Sequence, residues 1–122
     1  MTLSIGRLSA ALEVEETTLR AWISHAEATF ILGRRDGGRR VFDFPDAYAL
    51  AIMAALYHAR VRVSPQIIKS VLSHIVQGGE IIQPKPGETL EVSESEGAAV
   101  IVYLDLASEI ASDRLNNRMV AA

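Results

Sequence analysis

Seven side chains in the first third of the chain carry chemistry worth explaining. Arg34, Arg35, Arg39 and Arg40 flank Asp36-Gly37-Gly38, so four guanidiniums crowd one short segment. Such clustering costs repulsion and offers no core burial, and it makes sense where phosphate groups neutralise it. Upstream, Thr17, Thr18 and Arg20 stand at the start of a helix-forming run. Hydroxyls there can bond phosphates or base edges, a Thr methyl can touch the methyl of thymine, and Arg20 can reach a guanine or a phosphate with two parallel hydrogen bonds. The two glutamates beside them, Glu15 and Glu16, repel phosphate unless they meet cytosine amino groups or lie outside the groove.

Other chemistries find no support in residue spacing. His25, His58 and His74 are far apart, and none has a metal-ligand neighbour three or four residues on. Ser93 and Ser95 lie among acids without a nearby histidine base. Gly37-Gly38 lacks the Lys-Ser/Thr of a phosphate-binding loop. The chain has no cysteine, which removes disulfides, thiolate metal sites and thiol nucleophiles. The expectation is a protein with no catalytic residue, metal or cofactor.

The elements that must position these groups follow from periodicity. Ser4 is a good N-cap for a first helix, with Ile5, Leu8 and Leu12 on one face. A turn near Glu13–Val14 leads to a second helix over about Glu15 to Ala26, with Leu19, Trp22 and Ile23 as its apolar stripe. Trp22 is expected to pack between helices. Then TFILGRR and RRVFDF, both rich in strand formers, flank the Asp-Gly turn and predict a hairpin. Helix, turn, helix and arginine-rich hairpin together predict a winged helix-turn-helix, a module that sits on duplex DNA.

Asp43-Phe44-Pro45-Asp46 opens a third helix with a capping acid, a proline in the first turn and a second acid three residues after the cap. Its alanine-rich run is expected to turn Ala47, Leu50, Ala51 and Ala54 inward. Ser64-Pro65 starts a fourth helix with Ile67, Ile68, Val71, Leu72 and Ile75 on a wide apolar face, stopped by Gly78-Gly79. Beyond lie EIIQ, a PKPGE turn, TLEVSES, the strand GAAVIVYLDL expected to be buried, and a last helix over about Leu106 to Met119. The fold class expected is α+β and mostly α.

The charge distribution agrees with a split of labour. The chain has 122 residues and a net charge of −3. Residues 1–78 hold nine Arg or Lys against seven Asp or Glu, or +2, whereas residues 79–122 hold three against eight, or −5. We therefore expect residues 1–78 to form the DNA-binding domain. Residues 79–122 are expected to form a small acidic β/α unit that faces away from DNA and serves homodimerisation or docking of a protein partner. No apolar run approaches the roughly 20 residues that cross a bilayer. The opening residues lack the basic start of a secretory signal, so the expected location is cytoplasmic.

At pattern level, IGRLSAALEVEETTLRAW, RRDGGRRVFDFPDAYAL and the helix from Ser64 resemble the DNA-binding domain of the MerR family over about residues 3–77. In that resemblance Thr18-Leu19-Arg20 match the recognition helix, Gly38-Arg39-Arg40-Val41-Phe42 the wing, and Asp46 the acid of the next helix start. It implies a recognition helix in the major groove, a wing on the backbone and a role in transcription regulation. Departures are local and C-terminal. Glu15 stands where a Ser or Thr cap is usual, Thr17 where an Arg is common, Arg39 in place of the wing Tyr, and Ala21-Trp22 in place of two tyrosines. Members of the family continue into a long dimer-forming helix, whereas here Gly78-Gly79 and a β-rich unit follow. Excisionases, architectural recombination factors and phage DNA-packaging subunits use similar winged folds. A winged protein-interaction module is the reading that dispenses with DNA.

Overall fold

The computed structural model describes residues 2–82, 85–95, 98–103 and 113. The chain is α+β, and its described residues form four full helices and small antiparallel sheets. In order these are β1 (Leu3–Ser4), α1 (Ile5–Leu12), α2 (Glu16–Ala26), β2 (Arg34–Asp36), β3 (Arg39–Phe42), α3 (Phe44–His58), α4 (Pro65–Ile75), β4 (Val76–Gln77), β5 (Glu80–Ile81), β6 (Thr89–Ser95) and β7 (Ala98–Tyr103). Among the described residues, no helix is long and apolar enough to cross a membrane.

α3 is the centre. Ala47 to Ala54 are all buried, and Leu56 with them, so this helix is apolar on every side rather than along one stripe. A helix of that kind needs packing all round. α1, β3 and β5 all pack on it, while α2 packs on α4. The inward face expected at Ala47, Leu50, Ala51 and Ala54 is real, but Tyr48, Ala49, Ile52 and Met53 are buried as well. α1 and α4 are amphipathic as their spacing predicts, burying Leu8 and Leu12 in one, Ile67, Ile68, Val71, Leu72 and Ile75 in the other. Each such side chain contributes roughly 1.5–3 kcal/mol.

Caps follow the sequence with one exception. Ser4 Oγ accepts from the Arg7 N–H, and Ser64 Oγ from the Ile67 N–H, at 3.2 Å each. α1 ends at Glu13, in the left-handed region, and Ser9 Oγ donates to the Val14 carbonyl at 2.6 Å. Asp43 occupies the cap position of α3, yet its carboxylate makes no cap hydrogen bond. It is turned to Arg34 instead, Nε to Oδ2 3.3 Å. Asp46 does serve the helix start. Burial raises its pKa first, and hydrogen bonds from the backbone N–H groups of Gly33 and Asp43 oppose that.

β2 is shorter than TFILGRR suggests. The N–H groups of Thr29 and Phe30 both bond the Ala26 carbonyl at 2.9 Å, which prolongs the helical turn, and Gly33 at φ +81° separates Leu32 from the strand. Conversely β1 is a strand that periodicity does not reveal. It pairs with β3 through Leu3 opposite Phe42 and Ser4 opposite Val41, so the hairpin becomes a three-stranded sheet in the order β1-β3-β2. Gly37 and Gly38, both at positive φ, make the two-residue turn between Asp36 and Arg39.

Gly78-Gly79 form a turn of the same kind, joining β4 to β5 with Gln77 opposite Glu80. α4 has already ended at Ile75, because Val76 turns to extended backbone and pairs with Ile81. Lys85-Pro86-Gly87-Glu88 is the expected turn, closed by the Glu88 N–H on the Lys85 carbonyl at 3.1 Å. Val76, Ile81 and Leu90 pack against the core. Of the helix expected over about Leu106 to Met119, the described residues include Asp113 alone, which is helical and exposed. The side chains of residues 92–103, on which the expectation of a buried strand rests, lie outside what is described.

Two predictions follow from this packing. A Cβ at Gly33 would stand 2.8 Å from the Phe42 ring and 3.0 Å from the Val41 carbonyl oxygen, in backbone that disfavours any side chain. Gly33→Ala should therefore cost roughly 1–3 kcal/mol in urea unfolding. His74 Nε2 lies 2.6 Å from Glu88 Oε1, and that bond, helped by the Lys85 N–H, holds the Glu88 carboxyl below its ordinary range. A depressed carboxylate stabilises the fold above the ordinary Glu value, and its contribution fades as pH falls through the lowered one. The melting-temperature gap between the protein and its Glu88→Gln variant should close on acidification through that window.

Candidate functional site

The four hairpin arginines meet different fates, and strand geometry decides them. Neighbouring residues on a strand point to opposite faces. Arg34 turns to Asp43 at the head of α3, whose hydrogen bond and charge raise the Arg34 pKa. Arg35 turns the other way and lies directly opposite Arg40 in the β2–β3 register. Two like charges facing each other across a ladder cost on the order of tenths of a kcal/mol. Arg40 is the best anchored of the four. Its Nε donates to the Leu32 carbonyl at 3.0 Å, and its Nη1 is 3.7 Å from Glu27 Oε1.

Arg35 and Arg40, on one face of the hairpin, line one wall of a cleft of about 670 Å³, and Arg39, opposite Asp36, borders it at the tip. The opposite wall comes from the start of α1 and the exposed side of α2: Ser4, Arg7, Arg20, Ser24 and Glu27. Among the described residues, five arginines and a single carboxylate thus line one concave surface. Arg7 is a member that sequence reading missed. Its signal was its place in the first turn of α1, beside a cap rather than in any charged run. Only the third strand and the α1–α2 turn carry it towards the hairpin.

The rest of α2 falls into place by helical spacing. Thr17 is exposed and lies one turn before Arg20, with Ser24 the next turn on, so the three share a face. Thr18 is half-buried on the flank of that face. Neither threonine lines the cleft, and Arg34 does not either. Glu16 is turned away. Its Oε1 would lie 3.1 Å from a Cβ placed on Gly6, so the carboxylate rests against the first turn of α1, where a helix N-terminus favours negative charge. Trp22 is buried and meets Tyr57 edge-on at 5.7 Å, as the core reading expects.

Among the described residues, no hydrogen bond or ion pair engages the side chains of Arg7, Arg20 or Arg39. Open guanidiniums on a concave surface can hold phosphate or carboxylate oxygens with paired N–H donors. The histidines have other positions. His58 Nε2 donates to the Leu12 carbonyl at 2.9 Å, tying α3 to α1, and His74 holds Glu88. Among the described residues no group of three His, Asp or Glu side chains could hold a metal ion. No protein-family model, curated protein or solved structure matches the chain.

The anchoring of Arg40 separates it from its neighbours. Arg40→Ala removes a half-buried hydrogen bond to Leu32 and should lower stability by roughly 0.5–1.5 kcal/mol. Arg39→Ala, at an exposed and unengaged side chain, should stay within about 0.5 kcal/mol. Equal losses in denaturant titrations of the two variants would contradict this assignment.

Proposed function

We propose that the chain is a sequence-specific DNA-binding regulator with a MerR-like winged helix-turn-helix, acting on duplex DNA in the cytoplasm as a homodimer. In this reading α1 and α2 are the helix-turn-helix, and the β1-β3-β2 sheet with its Gly37-Gly38 tip is the wing. The observation that carries it is the cleft: five arginines drawn from α1, α2 and the hairpin onto one surface. A protein gains nothing in stability from such a surface, and a polyanion gains a matching one.

Roles divide by position. Thr17, Arg20 and Ser24 form the exposed face that would enter the major groove, with Thr18 at its edge. Arg7, Arg35, Arg39 and Arg40 would hold backbone phosphates beside it. Arg34, matched by Asp43, would add little. The turning of Glu16 onto α1 removes one of the two repulsive charges that the sequence set near the helix start. The second copy would dock through residues 79–122, where the two-stranded β6–β7 sheet offers strand edges.

Fluorescence anisotropy with labelled duplexes across a salt series tests the reading. Arg35→Ala with Arg39→Ala should weaken binding to every duplex and flatten the log–log salt slope by roughly one unit for each lost phosphate contact. Arg34→Ala should leave the slope nearly unchanged. Arg20→Ala should change the preference between the DNA upstream of the gene and a scrambled duplex. Absence of salt-dependent binding by the unaltered protein at low salt would end the DNA reading and favour a protein-interaction module.

A further inference from the structure

We propose that the cleft takes one sugar-phosphate strand of the duplex, and that Glu27 is the counter-charge this strand displaces from Arg40. The inference rests on the DNA reading above. At about 670 Å³ the cleft has the size of a small-ligand site, enough for a few backbone units and too small for a duplex. One strand would run between the α1–α2 wall and the hairpin.

Among the described residues Glu27, at the end of α2, is the single acid lining that cleft. Arg40 is pinned by its Nε on the Leu32 carbonyl, so the guanidinium cannot swing away to find a phosphate elsewhere. Its Nη1 stands 3.7 Å from Glu27 Oε1, and both residues line the cleft. A phosphate oxygen approaching Arg40 must take that position. The Glu27 side chain is 55% exposed, and a pair so open to water is worth about 0.2–1 kcal/mol. It yields readily to a doubly bonded phosphate. The carboxylate nevertheless stays in the cleft as a like charge beside the strand. Glu27 therefore keeps backbone affinity below what five arginines would deliver, which leaves more of the discrimination to the helix face carrying Thr17 and Arg20.

Glu27→Gln tests this, because it keeps size and shape at an exposed position and removes only the charge. Its melting temperature should fall by no more than a few degrees, about what loss of so exposed a pair costs. Affinity for specific and scrambled duplexes alike should rise roughly three- to tenfold at moderate salt, and the salt slope should steepen by about one unit. In the Arg40→Ala background the same change should give a smaller gain, since the pair is already broken. Unchanged or weaker binding of Glu27→Gln would overturn the inference while leaving the DNA reading intact. An equal gain with and without Arg40 would also overturn it. Failure of the unaltered protein to bind any duplex would overturn the reading beneath it.

Discussion

The burial of α3 on all sides is the constraint on which the other elements depend. Residues 47–54 expose almost nothing, so every face of that helix requires a neighbour. The alanines at 47, 49, 51 and 54 keep its surface shallow and let α1, β3 and β5 approach closely. Helix backbones are internally hydrogen-bonded, and an alanine-rich one can be surrounded without stranding polar groups. His58, the last residue of α3, then satisfies the carbonyl of Leu12 at the end of α1. One side chain thus ties the end of α3 to the end of α1, the helix that carries Arg7.

Against that support the hairpin can tolerate a charge density that would otherwise loosen it. Phe42, fully buried, roots β3 in the core, and the ring presses on Gly33. Leu3 pairs opposite Phe42 and is itself buried, so the sheet is held at its base while its tip projects. Asp43 gives up its capping role to neutralise Arg34, and Asp46 assumes the reciprocal bond at the helix start. The repulsion between Arg35 and Arg40 persists, opposed by the bond from Arg40 to Leu32. Stability here is spent on holding cations in one place.

The second half joins the first through β6, which packs on α4, and through contacts around the end of that helix. The β4–β5 hairpin turns immediately after α4, and its Ile81 reaches the core beside α3. Ile82 donates to the Ile75 carbonyl at 2.7 Å, capping the end of α4. His74 and Glu88 then bind the start of β6 to that same helix end. The acidic composition of this half sets its charge, and these contacts set its attachment.

Much of this architecture was legible in the amino-acid order because it depends on neighbours a few residues apart. Ser4 and Ser64 as caps, the turn at Glu13, Asp36-Gly37-Gly38-Arg39 as a tight hairpin and the apolar stripes of α1 and α4 are local consequences of side-chain chemistry and period. Local pattern misled where two local options competed. Thr29 to Leu32 are rich in strand formers, but the free carbonyl of Ala26 captured two N–H groups first. Asp43 looked like a cap, but an arginine nine residues away offered a charged partner. What tertiary structure alone decided was company: that Leu3 pairs with Phe42, that Arg7 joins Arg20, Arg35, Arg39 and Arg40, that Arg34 does not, and that Glu27 stands among them. Sequence determined the residue types and the periods. Which cations share one surface depends on distances between segments far apart in the chain, and only the packing around α3 sets those.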